Sequence, residues 1–299
     1  MLRCPACCEP VTNAGTVGED ISKGLRCDNC GRLFPIVDGV LRMMTSRAHK
    51  DTAAESFGFE WLARDRGLFE TDTLYGLTKE QEVAAFRDAY GIELSDLRGK
   101  TFLDAGCGDG ALLELIAGYE PEIIGIDISD SVSIAERRSR QLPNVTILQA
   151  DILRPCFATA SFDFVWCEGV VIHTPNPSKA LEAIGRLVKP GGQLYVWVYP
   201  SDNVSVYQRV RDLLVAPYRL PRPILIMLCY SLATAMLPLF RISGRKQSIG
   251  TIAFNLFDNL SPRYQWRYTE QEIRRWFGEA GFADLRVTGR VGISGKRIS

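Results

Sequence analysis

From Lys100 to Pro200 short apolar runs alternate with amphipathic stretches: TFLDA, ALLELIAGY, EIIGIDI, VSIAERRSRQL, VTILQA, FDFVWC, KALEAIGRLV and GQLYVWVYP. Apolar runs bounded by turn residues read as buried strands, and segments with apolar residues three and four apart read as helices. Their alternation implies parallel βαβ units, so the expected class is α/β with a doubly wound sheet and ligands beyond the carboxyl ends of its strands. Upstream, SFGFEWLARDRG (56–67) and KEQEVAAFRDAYG (79–91) have helical spacing, and Gly91 suits a helix stop. Near the N-terminus LFPIVDGVLRMM reads as two short strands about an Asp38-Gly39 turn. Downstream, YTEQEIRRWFGEAGF opens on a capping box, Thr269 and Glu272, and ADLRVTGR with ISGKRIS reads as a closing hairpin.

Sixty-eight residues separate Pro200 from Thr269, more than a crossover requires. We expect this insertion, about 201–266, to form an acceptor chamber. Its centre, PILIMLCYSLATAMLPLF (223–240), has no charge across eighteen residues, which raises a membrane span. Pro223 and Pro238 would confine the helix to about fourteen residues, or ~21 Å, short of a ~30 Å hydrocarbon core. Two readings stay open: a buried lid helix, or an interfacial helix touching lipid. Arg209, Arg211, Arg219, Arg222, Arg241, Arg245 and Lys246 oppose only Asp202 and Asp212 across this region, so peripheral membrane contact through 209–246 is one expectation.

Composition changes the picture little. Hydrophobic residues make up 46% and charged residues 23%, as in an ordinary globular protein. Lys plus Arg and Asp plus Glu both total 35, which disfavours a nucleic-acid partner. No apolar run precedes the first cysteines, so a cytoplasmic setting with reduced thiols is expected. The nine cysteines include Cys4-Pro-Ala-Cys7 and, nineteen residues on, Cys27-Asp-Asn-Cys30. Two such knuckles make Cys4, Cys7, Cys27 and Cys30 candidate ligands of a structural zinc, a closed four-thiolate shell. The expected division is a zinc ribbon at 1–46, a helical linker or cap at 47–98, and a catalytic domain at 99–299.

The stretch DAGCGDGA (104–111) satisfies the loose dinucleotide fingerprint, but its charges point elsewhere. Gly106, Gly108 and Gly110 let backbone approach a ligand. Asp104 and Asp109 beside them would repel a pyrophosphate and attract a cation such as a sulfonium. Asp127 follows Gly106 by twenty-one residues at the end of the next strand, where a carboxylate accepts ribose hydroxyls. Asp151 in LQADIL is offered to an adenine amino group, with Ile152 and Ile128 for the ring faces. Phe57, Phe59 and Trp61 read as packing, or as a flap over this pocket.

Together FLDAGCGDG, IIGIDIS, LQADIL, SFDFVWCEGVVIHTPNP and LVKPGGQLYVWVY resemble the class I S-adenosylmethionine-dependent methyltransferases, over about residues 97–200. The resemblance implies a Rossmann-like, seven-stranded, mostly parallel sheet and S-adenosyl-L-methionine as methyl donor. It puts Asp104, Gly106 and Cys107 near the methionine part, Asp127 on the ribose, and Asp151 with Ile152 on the adenine. Glu168 would sit near the methionine amino group or be a plain loop carboxylate. His173 falls where the family faces its acceptor, as a general base or as a loop residue held by a backbone hydrogen bond. Ala111 stands where many relatives carry a long side chain.

Residues 2–44, ending in FPIVDGV, resemble the small zinc-ribbon proteins that activate tRNA and protein methyltransferases. In that family the ribbon is a separate subunit. The reading is thus a methyltransferase for a small-molecule or lipid-like acceptor at O, N or C. One alternative grips RNA with the ribbon, against which CEGV stands where an N-P-P-Y-type tetrapeptide would serve base methylation. Another is a non-catalytic module that binds a partner.

Overall fold

The N-terminal strands β1 (Val11–Asn13), β2 (Gly24–Cys27), β3 (Leu33–Val37) and β4 (Val40–Arg42) pair antiparallel in sequence order. Helices α1 (Glu55–Asp65) and α2 (Lys79–Tyr90) follow. Then come β5 (Thr101–Ala105), α3 (Ala111–Ile116), β6 (Glu122–Asp127), α4 (Val132–Ser139), β7 (Val145–Gln149), β8 (Phe162–Glu168), α5 (Pro177–Gly185) and β9 (Val188–Trp197). The chain closes with β10 (Tyr199–Pro200), α6 (Arg222–Ile242), α7 (Ile249–Leu260), β11 (Arg267–Tyr268), α8 (Glu270–Glu279), β12 (Phe282–Thr288) and β13 (Gly292–Arg297). This computed structural model describes residues 1–14, 24–45, 54–69, 78–201, 220–244, 247–289 and 291–298. Arg209, Arg211, Arg219, Arg245 and Lys246 lie outside the described residues.

The expected seven-stranded sheet is an eleven-stranded one, in the order β1-β2-β3-β4-β7-β6-β5-β8-β9-β13-β12. Strands β5 to β9 with β12 and β13 make up the part expected from the alternating pattern. The ribbon adds four more, because β4 pairs parallel with β7, Leu41 opposite Leu148 and Arg42 opposite Gln149. Without β4, β7 would present an open edge of unpaired backbone groups. Pairing in β4-β7-β6-β5-β8-β9 is parallel, which is why those strands read as nearly continuous apolar runs. The closing hairpin adds antiparallel β13 and β12 at the other edge.

Three apolar clusters hold the layers. One joins the ribbon (Cys4, Phe34, Met43) to one sheet face and to α5 and α8 (Ile184, Phe277). A second puts Phe86 and Tyr90 of α2 on Phe102, Phe164, Trp166 and Tyr195. The third joins Trp61 and Ala63 of α1 to Leu225, Cys229 and Ala233 of α6 and Phe254 and Phe257 of α7. Helix α2 begins at a capping box on Thr78 and ends at Gly91, whose φ of 66° is left-handed. The Thr269 capping box likewise opens α8.

Helix α6 corrects an expectation. It continues through Pro238 to Ile242, twenty-one residues in all, or ~31 Å at ~1.5 Å per residue. Proline removes one backbone bond, yet Leu237 and Phe240 on either side of it pack on the third cluster and keep the last turn in place. Nor is α6 a buried lid: Leu225, Cys229 and Ala233 are its buried positions, whereas Met227 and Leu239 are 70% and 66% exposed. Among the described residues it is the one helix long and apolar enough to cross a membrane by length and composition.

Candidate functional site

The loop after β5 is shaped by its glycines. Gly106 and Gly108 have φ of 106° and 53°. A Cβ on Gly106 would meet Val170 at 2.2 Å, and one on Gly108 would meet Trp61 at 2.9 Å. Side chains from two other segments therefore close onto bare backbone here. Asp127, at the end of β6, ties the loop down: its Oδ2 accepts from Gly108 N at 3.1 Å and its Oδ1 from Ser129 N at 2.8 Å. Asp151, beyond β7, accepts from Leu153 N at 2.9 Å.

These loops border a cleft at the carboxyl ends of the strands. Gly106, Asp127, Ile128, Asp151, Ile152, Glu168 and His173 all line it. Asp104, Cys107, Gly108 and Gly110 do not. Asp104 is buried beneath the loop, and Cys107 packs in the core with Leu113 and Ile147. Phe57 and Trp61 of α1 form one wall, and Gly169, Val170, Thr174 and Pro175 after β8 form another. No periodicity marks those loop residues. Phe57 and Trp61 were legible as a flap only through their aromatic character.

The electrostatics differ from the sequence reading at one carboxylate. Asp109 is turned away and paired with Arg64 at 2.8 Å and Arg138 at 3.3 Å. The acidity facing the cleft comes from Asp127, Asp151 and Glu168 instead. Burial, then the Glu168 and Asp127 carboxylates, push Asp104 well above the usual carboxylate range. Burial among protein groups raises Glu168 to about 7, with Glu82 adding to it, although its side chain opens onto the cleft. Burial also raises Asp127, against backbone hydrogen bonds from Ser129 and Gly108.

His173 is 5% exposed, with its ring edge against Phe57 and Tyr199. Its Nδ1 lies 2.6 Å from the Tyr264 carbonyl oxygen. A carbonyl only accepts, so Nδ1 carries the hydrogen, and in the neutral ring Nε2 carries the lone pair. The backbone bond and the base role are thus compatible. Tyr264, Trp266 and Tyr268, the aromatics just before α8, do not line the cleft. Trp266 donates to the Thr174 carbonyl at 3.0 Å, and Tyr268 packs on Trp276.

In the ribbon, the sulfurs of Cys4, Cys7, Cys27 and Cys30 lie within 4.8 Å of one another. Cys4 and Cys30 are 3.6 Å apart and Cys7 and Cys27 3.4 Å. Four thiolates on a tetrahedral zinc, with Zn–S near ~2.3 Å, stand roughly this far apart, and the set leaves no open position. Cys8 stays exposed outside the group.

Comparison with known families assigns the two parts. The family of methyltransferase domains matches residues 103–196, which hold the glycine loop, Asp127, Asp151, Glu168 and His173. Residues 103–196 are therefore similar to methyltransferase domains. Residues 1–39 match the Trm112p-like protein family, and they carry the four-cysteine cluster. The chain is 39% identical over 118 residues to the ubiquinone biosynthesis O-methyltransferase of Paraburkholderia phymatum, covering 37% of this chain and 49% of that protein. The chain thus spans about half the length of the curated relatives it matches.

Among solved structures, the magnesium protoporphyrin IX methyltransferase of Synechocystis, with bound SAH, superposes with a TM-score of 0.51 at 18% identity. That match covers 82% of this chain and 97% of that one. The phospholethanolamine N-methyltransferase 2 of Haemonchus contortus gives 0.50 at 17%, over 83% of this chain and 47% of that one. At these identities the likeness concerns the fold alone.

Proposed function

We propose that this protein is an S-adenosylmethionine-dependent methyltransferase acting on a small, lipid-like acceptor. The observation that carries the reading is the convergence of Gly106, Asp127, Ile128, Asp151, Ile152 and Glu168 on one cleft inside a methyltransferase domain. Asp127 would accept the two ribose hydroxyls. Asp151 would accept from the adenine amino group, between the apolar faces of Ile128 and Ile152. Glu168, when ionised, would hold the methionine ammonium group. S-adenosylmethionine, when bound, supplies the methyl group together with its electrophilic sulfonium centre.

The protein's remaining work is to align an acceptor, exclude water and receive a proton. Phe57, Trp61 and Val170 wall the cleft with apolar surface. His173 Nε2 would take a proton from an acceptor hydroxyl, while the Tyr264 carbonyl holds Nδ1–H and the orientation of the ring. The name of the Paraburkholderia relative supports a hydroxylated, lipid-like acceptor.

The outer stripe of α6 supports contact with a membrane surface. Ile224, Met227, Leu239 and Ile242 are 51%, 70%, 66% and 83% exposed, with Arg222 and Arg241 near the helix ends. Ser231 and Thr234 bond back to the carbonyls of Met227 and Tyr230 at 2.9 and 2.8 Å, so their hydroxyls do not require water. Packing along α7 keeps α6 lying on the protein, which suits an interfacial helix.

The deciding experiment incubates the protein and methyl-labelled S-adenosylmethionine with separate lipid, metabolite and RNA extracts. Label is expected in the lipid fraction. Label in RNA alone would overturn the acceptor class, and label nowhere would leave a non-catalytic binding module.

A further inference from the structure

Away from the cleft, one cluster of buried ionisable groups takes no part in the site described. Glu60 of α1 is 0% exposed, and neither of its carboxylate oxygens has a hydrogen-bond donor. The group it meets is the carboxyl of Asp258 on α7, itself 6% exposed. Two carboxylates cannot donate to each other, and two buried negative charges in contact repel strongly. A single proton between them removes the repulsion and supplies the missing donor.

The surroundings fit one proton rather than a counter-cation. Tyr199 Oη donates to Asp258 Oδ2 at 3.3 Å. Arg64, the cation of the same helix, acts to lower the Glu60 pKa as the smallest of the influences on it, but lies 2.8 Å from Asp109, with which it forms an ion pair. From α6, Cys229 faces the pair with a thiol that burial holds protonated. One turn away Ser56 and Ser261 hydroxyls meet at 2.9 Å, so α1 and α7 run antiparallel with a second polar contact between them.

We infer that Glu60 and Asp258 share one proton, and that this shared proton fastens the α1 wall of the cleft to α7 of the insertion. Both are positioning residues. Glu60 lies between Phe57 and Trp61 on α1, the two side chains that line the cleft, and Trp61 rests on Gly108 of the glycine loop. Loss of the proton would leave two charges in contact and push α1 from α7, lifting Trp61 from the loop.

The pH dependence has a definite sign. Asp258 is raised to about 6, chiefly by burial, and Glu60 well above its usual range by burial and by Asp258. As a coupled pair they lose a first proton near pH 6 and the second at higher pH. Folded-state pKa values above the unfolded ones make the stability of this contact fall as pH rises through the pair's titration.

The test is amide hydrogen exchange of the full, zinc-loaded chain across a pH series without cofactor, read on residues 55–65 and 249–260. Glu60→Gln and Asp258→Asn serve as comparisons, since an amide donates permanently to the remaining carboxylate. After correction for intrinsic exchange, wild-type protection in both helices is expected to fall tenfold or more toward high pH. In either variant it should stay flat, and Tyr90–Phe102 core amides should not respond in any of them. The same pH profile in wild type and in whichever variant folds would overturn the inference. A parallel titration with S-adenosylhomocysteine rests on the proposed function: its affinity should fall with the α1 protection. Absence of binding at every pH would count against the methyltransferase reading, while the exchange arm still decides the shared proton.

Discussion

Arg42, the last residue of β4 in the ribbon, donates from Nη1 to Oε1 of Gln149 at the end of β7, 3.2 Å away. Its Nη2 donates to Ser133 Oγ at 3.2 Å. The Gln149 amide nitrogen in turn donates to the Ile128 carbonyl at 3.0 Å and to Asp130 at 3.2 Å. Ile128 lines the cleft, and Asp151 follows Gln149 by two residues. A zinc-ribbon residue thus braces the loops proposed to hold adenosine. Arg42→Ala is expected to weaken S-adenosylhomocysteine binding about tenfold, equivalent to ~1.4 kcal/mol. Calorimetric titration giving wild-type affinity would separate the ribbon from the cleft.

Metal removal should act through the same strand. The ribbon is too small to hold its fold without the four-thiolate staple. Chelation, or Cys27→Ser, should raise exchange of β2 to β4 amides and lower S-adenosylhomocysteine affinity at least as far as Arg42→Ala. Unchanged exchange in β4 after verified zinc loss would show that pairing with β7 is enough by itself.

For His173, single-turnover kinetics with the acceptor should reveal transfer slowed about 100-fold in His173→Ala, at nearly unchanged cofactor affinity. His173→Asn still offers an N–H to the Tyr264 carbonyl and distinguishes loss of the base from loss of the tether. Full activity in His173→Asn would remove the base role.

Glu168 predicts a pH profile. Its folded pKa of about 7 lies above the ordinary carboxylate value. The free protein therefore keeps this proton longer than the unfolded chain, and its contribution to stability falls between about pH 4.5 and 7. Only the ionised form holds an ammonium group, so in a Glu60→Gln background, where the Glu60–Asp258 contact does not respond to pH, S-adenosylhomocysteine affinity should rise as pH passes through about 7. Glu168→Gln should flatten that rise, a comparison made by titration at pH 6 to 8.

The outer face of α6 should bring the protein to anionic surfaces. Flotation with phosphatidylglycerol-containing vesicles at low salt should recover the wild type but not Met227→Asp/Leu239→Asp, whose cofactor affinity should match wild type because neither residue lines the cleft. Wild-type protein left at the bottom of the gradient would remove the membrane reading.

Much of the fold was legible because its signals are local. Gly91, and Thr269 with Glu272, bounded helices through capping chemistry that acts within one turn, whereas the Thr78 capping box emerged only in the structure. The loops with Gly106, Asp127 and Asp151 follow strands whose apolar runs announce them. Asp109 was misjudged because its partners, Arg64 and Arg138, lie in distant segments. Pro238 was overrated as a stop because proline weakens a helix locally, whereas packing by Leu237 and Phe240 is tertiary.

The sequence by itself determined the parallel α/β domain, the four-cysteine knot and the acidic, glycine-rich loops, since periodicity, capping and motif spacing are properties of neighbours along the chain. Only the tertiary structure decided that β4 extends the sheet at β7, that Phe57 and Trp61 wall the cleft, and that Glu60 meets Asp258 across 198 residues. Those contacts join side chains far apart in the chain, and their energies depend on burial and partner geometry that no local pattern encodes.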